Sequence, residues 1–204
     1  VSAEKQEELT KSLTEKFADN EIALYNSNSV SPTVAGSFFV KIVVAVVITA
    51  ILVVIYVGIR FRRIGGVSAA VTALCALVFD VLITFFTCVL FKLQLDSNYI
   101  AVVLTILGYS LNDTIVIYDR VRENKRLMPD AEIGEVVNAS INTTLKRNVI
   151  TSLTTFVAVM TIVTVSELFG LSTLRTFAIP MAFGIVSGAV SSLFIAGPLW
   201  VIWK

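Results

Sequence analysis

Residues 97–118 read SNYIAVVLTILGYSLNDTIVIY, and the only formal charge among them is Asp113. An apolar run of this length makes a helix of about 30 Å, the thickness of a bilayer's hydrocarbon core. Four further stretches behave alike. Residues 42–59 have no charge, 64–91 have only Asp80, and 148–166 and 176–203 have none. The last is long enough to tilt or to kink at Pro180. The pattern predicts an all-α membrane protein with helices at about 39–60, 66–92, 97–118, 144–166 and 174–203.

Composition agrees. Of 204 residues, 56% are hydrophobic and 15% charged, too apolar for a soluble domain that must cover itself with polar groups. A net charge of +1 gives no reason to expect a nucleic-acid partner. Histidine is absent, which removes the commonest metal ligand and the usual neutral-pH base. No metal site and no cofactor are expected. Cys75 and Cys88 lie about 20 Å apart on one predicted helix, so they cannot bridge and are expected to be small buried hydrophobes.

Loop charges give the orientation. Arg60, Arg62 and Arg63 follow the first span. Arg120, Arg122, Lys125, Arg126, Lys146 and Arg147 lie between the third and fourth, and Lys204 ends the chain. These fall on one side, which the rule makes cytoplasmic, while the opposite connections hold Lys92 and Arg175. The C-terminus is therefore expected inside and the N-terminal tail outside. Residues 1–37 are polar. Glu4–Ala18 reads as a weakly amphipathic helix through Leu9, Leu13 and Phe17. Ser27–Gly36 reads as loop, with Ser31-Pro32 a helix start. A polar tail seldom crosses a membrane alone, so an upstream transmembrane helix is expected, followed by an extracytoplasmic region whose tail is residues 1–37. Residues 119–143 form a cytoplasmic segment in which Pro129-Asp130 marks a helix start, and from Ala131 the pattern can run unbroken into the fourth span.

Asp113 is the first candidate for function. It sits roughly 9 Å above Asp119, in the inner half of the bilayer. An ionised carboxylate there costs several kcal/mol unless it finds a partner. Arg147 is the natural one, because Ser140, Thr144, Arg147, Thr151, Thr154 and Ala158 share one helical face. Such a stripe must face protein or water. The bland alternatives are helix–helix glue for Asp113 and snorkelling to lipid phosphates for Arg147. Asp80 shares a small or polar face with Ala73, Ala76, Thr84 and Thr87 and is a secondary relay or packing residue. Asn112 points about 100° away from Asp113. Asn138 and Asn142 are expected to tie helices together. Gly184 and Gly188, followed by Ser191 and Ser192, give the last helix a close-approach face. No metalloprotease, serine-hydrolase or P-loop motif is present, and no enzyme is expected. Two aspartates invite an intramembrane protease reading, but that chemistry needs acids at close range and these differ in depth.

The stretch GYSLNDTIVIYDRVREN at 108–124 resembles the signature of the SecF protein-export family, which also forms the second half of fused SecDF proteins. VNASINTTLKRNVITSLTT at 137–155, FDVLITF at 79–85, IYVGIRFR at 55–62, GIVSGAVSSLFIAGPLW at 184–200 and SVSPTVAGSF at 29–38 extend the likeness over nearly the whole chain. The resemblance implies an RND-type transmembrane helix bundle holding five of six SecF helices. It implies SecD, or a SecD half of the same chain, and the SecY translocon as partners, a preprotein as substrate, and surrounding membrane lipid. The place implied is a bacterial or archaeal cytoplasmic membrane. It assigns the proton pathway to Asp113 and Arg147 and matches Asp80 to a recurrent family acid; from the residues themselves, Asp80, Asn112 and Thr151 are secondary relay or packing positions. The family's partner acid lies in SecD and is not in this sequence. The expected function is a proton-motive-force-coupled subunit assisting protein export. The competing readings are an RND-type proton-coupled exporter of small molecules, which residues upstream of Val1 would distinguish, and a non-catalytic translocon scaffold. A charge-reversing swap of Asp113 and Arg147 that restored both assembly and export would favour the scaffold.

Overall fold

A computed structural model describes residues 32–204 and, ahead of them, residues 8, 11–13, 15 and 16, which are helical. Most of the amphipathic helix expected over Glu4–Ala18, and the loop expected from Ser27 to Ser31, lie outside the described residues. The chain divides into two units, Val1–Val44 and Ala45–Lys204, with the boundary inside the first long helix.

The described helices are α1 (Pro32–Arg60), α2 (Gly66–Leu90), α3 (Ser97–Leu127), α4 (Ile133–Leu168), α5 (Ser172–Ser191) and α6 (Gly197–Trp203). Residues Ser192–Ala196 join α5 to α6 as a π-helical turn. Five segments are long and apolar enough to cross a membrane, the fifth running Ser172–Trp203 through that turn.

The boundaries differ from the sequence reading in instructive ways. Helix α1 begins at Pro32, so residues 32–36 are helical rather than loop. Proline is favoured at a first turn, where its missing N–H removes nothing. Helix α3 continues nine residues past Tyr118, because its charges mark the apolar boundary and not a helix end. The break is confined to Met128–Glu132, where Lys125 Nζ donates to the carbonyls of Pro129 and Ala131 at 3.1 and 3.0 Å. Much of the expected segment 119–143 is therefore helix. In α5 the helix continues through Pro180, and the irregularity comes twelve residues later, in the π turn.

Within Ala45–Lys204, α5 packs against α2, α3 and α4. Its glycines permit this. A Cβ on Gly184 would collide with Ile106 Cδ1, and one on Gly188 would lie 3.1 Å from Ser110 Cβ. The backbones of α5 and α3 thus meet where side chains are least, as expected when helices associate without a hydrophobic drive. Helix α1 buries Val53 and Val57 and leaves Leu52, Ile55 and Ile59 exposed, the surface expected toward lipid. At one end of the bundle the Phe61 and Trp200 rings lie 5.6 and 6.0 Å from Tyr118. Trp200 Nε1 donates to Ser68 Oγ at 2.9 Å, and Lys204 Nζ to the Ile64 carbonyl at 2.6 Å. The Arg60–Asp119 ion pair, 3.0 Å, joins α1 to α3 at the same end. Arg60, Arg122 and Lys204, three of the cations assigned to one side by loop charge, lie at this end. Of the cysteines, Cys88 is buried, while Cys75 is exposed and so departs from expectation. Asn138 and Asn142 are exposed and bond each other along α4 at 3.4 Å, rather than joining two helices.

Candidate functional site

The two intramembrane acids sit in different surroundings. Asp80, in the middle of α2, is fully buried. The face predicted for it exists: Ala73, Ala76, Thr84 and Thr87 are all buried with it. Three hydroxyls donate to its carboxylate. Ser187 reaches Oδ1 at 2.5 Å, and Ser110 and Ser191 reach Oδ2 at 2.5 and 2.8 Å. Ser187 and Ser191 stand one turn apart on α5, and Ser110 stands on α3. A single carboxylate therefore joins three helices. Buried acids normally need such donors, because an unpartnered polar group in an apolar interior costs several kcal/mol.

Asp113 is 2% exposed, three residues beyond Ser110 on α3. Its described hydrogen bond is one long contact, from Ser152 Oγ to Oδ2 at 3.4 Å. Ser152 also accepts from the Tyr109 hydroxyl at 3.3 Å. Asp113 thus lies about one helical turn from the Asp80 cluster, on the same face of α3, and is far less firmly held. The acids are nearer in depth than the sequence reading placed them.

Arg147 is not paired with Asp113. The described ion pairs are Arg60–Asp119, Arg120–Glu123, Arg122–Asp119 and Arg175–Glu167. Arg147 is exposed and lines a cavity of about 640 Å³ with Val116, Asp119, Arg120, Arg122, Arg126 and Thr144 among others. The buried stripe of α4 is Ser140, Thr144, Asn148 and Ser152, a register turned from the one that put Arg147 inward. Ser152 lies five residues past Arg147, about 140° around the helix, so both cannot face α3 at once. Thr151 is half-buried and donates to the Arg147 carbonyl at 2.9 Å, while Thr154 and Ala158 are exposed. Asn112 is exposed, on the side of α3 away from Asp113.

Sequence reasoning missed Ser110, Ser152 and Ser187. Ser187 had a signal: with Gly184, Gly188 and Ser191 it completes one small-residue stripe at spacings of three and four. Asn124 was also missed. Its Nδ2 donates to Ser140 Oγ at 2.8 Å and ties α3 to α4 beneath the apolar layer. Among the described residues no group of His, Cys, Asp or Glu is placed to hold a metal ion.

Residues 9–204 match the family described as protein export membrane protein SecD/SecF, C-terminal. The chain belongs to the SecD/SecF family. It is 38% identical to a protein translocase subunit SecF of Synechocystis sp., over all of this chain and 64% of that protein. It is 39% identical to a protein translocase subunit SecDF of Bacillus subtilis, over 88% of this chain and 24% of that one. A crystal structure of SecDF from Thermus thermophilus, titled a translocon-associated membrane protein, matches the whole chain at TM-score 0.80 and 35% identity, over 27% of its own length. Another SecDF crystal structure, in a super-membrane-facing form, matches with TM-score 0.74 and 32% identity, over 26% of its length. The chain therefore spans less than two thirds of the SecF relative and about a quarter of the fused ones. Five span-length helices and this membership make it part of a multi-pass membrane protein of SecF type.

Proposed function

We propose that this chain is the SecF-side transmembrane bundle of a Sec protein-export machine driven by the proton-motive force. The relatives' names support the export role, and the contrast between its acids supports the coupling. Asp80 is clamped by three short hydrogen bonds, whereas Asp113, equally buried, is held by one long one. A carboxylate so weakly bound loses little hydrogen bonding when it takes a proton, which is what a reversible proton carrier requires. That contrast is the observation on which the proposal rests.

Asp113 binds the proton. Arg147, at the cavity mouth one to two turns away, is the cation that swings toward the ionised form and away from the neutral one. Helices α3 and α4 shift as that attraction comes and goes. One proton crossing 100 mV supplies about 2.3 kcal/mol, enough to bias a two-state element roughly fiftyfold. Asp80 is the positioning residue that holds α5 on α3 next to the moving pair. The partners are SecD, or the SecD half of a fused chain, and the SecY translocon, with a preprotein as cargo. The bundle sits in the cytoplasmic membrane of a bacterium or archaeon, its N-terminal tail outside and Lys204 inside.

The test is Asp113→Asn in the full-length protein. Proton-dependent export should be lost while the subunits still assemble. Normal export by that variant refutes the assignment.

A further inference from the structure

We propose that the cavity between the end of α1 and the charged end of α3 binds the phosphate of an anionic phospholipid headgroup. The cavity measures about 610 Å³, and its lining is Ile59, Arg60, Arg62, Arg122 and Arg126. Four arginines thus line one space: Arg60 at the end of α1, Arg62 in the 3-10 turn that follows it, and Arg122 and Arg126 on α3. Asp119 pairs with Arg60 and Arg122, each at 3.0 Å, and so holds those two side chains in place. Arg62 and Arg126 have no ion pair among the described residues. The cavity keeps an excess of positive charge that no ion pair among the described residues answers. Membrane orientation explains why cations collect at this end. It does not explain why Arg62 and Arg126, which have no ion pair among the described residues, share one cavity with the Arg60–Asp119–Arg122 group, since like charges repel unless an anion lies between.

Guanidinium is the side chain whose planar fork matches phosphate oxygens two at a time. The surroundings select a lipid over a free anion. Leu52, Ile55 and Ile59 form one exposed stripe of α1 leading to the cavity, 61%, 53% and 74% exposed. Acyl chains lying on that stripe bring their headgroup to the arginines. Depth agrees for Arg60 and Arg122, while Arg126 starts just past the headgroup layer and reaches it by its long side chain. The Arg60–Asp119 pair sets the end of the apolar span level with Asp119, so Arg122 and Arg126 lie about 4.5 and 10 Å beyond it. The polar layer on each side of a bilayer is about 5–8 Å thick.

The experiment uses the full-length protein in a mild detergent and counts bound lipid by native mass spectrometry. Phosphatidylglycerol, phosphatidylcholine and inorganic phosphate are added separately. Phosphatidylglycerol should bind with preference over phosphatidylcholine, and the paired variant Arg62→Gln with Arg126→Gln should weaken it by roughly tenfold or more. The paired variant Arg62→Lys with Arg126→Lys should keep most of the affinity. Arg175→Gln, at the opposite end and paired with Glu167, should change nothing. Undiminished phosphatidylglycerol binding by the glutamine pair overturns the proposal. So does equal binding of phosphatidylcholine, or inorganic phosphate bound as tightly as the lipid, which would make this a site for free anions.

Discussion

Replacing Asp80 by alanine removes the acceptor of three hydroxyls on two helices, and the structure allows its cost to be apportioned. Ser191 has a second acceptor, the Gly188 carbonyl at 3.2 Å, and Ser110 can turn to Ser191 at 3.5 Å. Ser187 has no other described bond. One buried hydroxyl is then stranded, costing about 1–3 kcal/mol, while two settle for weaker partners. The void left by the carboxyl adds to this, so Asp80→Ala should destabilise by about 3–5 kcal/mol. Asp80→Asn keeps the volume and needs only one hydroxyl to turn and accept, so about 1–2 kcal/mol is expected. The decisive number is the coupling between Asp80→Ala and Ser187→Ala in a double-mutant cycle. Polar contacts between membrane helices average about 0.6 kcal/mol and reach about 1.7 at most. A hydrogen bond to a charged carboxylate is worth about 1.5–3 kcal/mol. Reversible unfolding of the full-length protein in mixed micelles measures both single and double variants. Coupling near 2 kcal/mol or above supports a carboxylate clamp. Coupling of about 0.6 kcal/mol or less refutes it and leaves Asp80 as ordinary helix glue.

Other outcomes follow from single contacts. Gly184→Ala drives a methyl into Ile106, which is buried, and should cost about 1–3 kcal/mol by thermal unfolding; Ile106→Val in the same protein should recover part of it. Gly188→Ala, whose methyl meets Ser110 at 3.1 Å, should be milder. Asn124→Ala breaks the buried bond to Ser140 and should cost about 1–2 kcal/mol, raising amide hydrogen exchange at the ends of α3 and α4. Arg60→Gln removes an ion pair whose side chains are each more than a third exposed, so its effect on unfolding should stay within about 1 kcal/mol.

Much of the bundle was legible one residue at a time. Five apolar runs can lie only across a membrane, because their length matches the hydrocarbon core and their composition excludes water. The acids stood out because they interrupt runs that otherwise exclude charge. The gathering of Arg60, Arg122 and Lys204 at one end followed from loop charge alone. Helix ends did not follow, because lipid exposure ends at Asp119 whereas the backbone of α3 has no reason to stop before Pro129.

Which side of α4 faces α3 was decided only by tertiary structure. Between Ser140 and Thr155 nearly every turn offers hydroxyls on several faces, so more than one polar stripe fits the sequence. The stripe through Arg147 was as regular as the one through Ser152. Packing selects the second, because a small Ser152 fits against Asp113 in a tight interface whereas a guanidinium needs the open cavity at its mouth. The partners of Asp80 depended on tertiary structure for the same kind of reason. The glycines announced a close approach somewhere along α5, but only the approach itself brought Ser110, Ser187 and Ser191 onto one carboxylate.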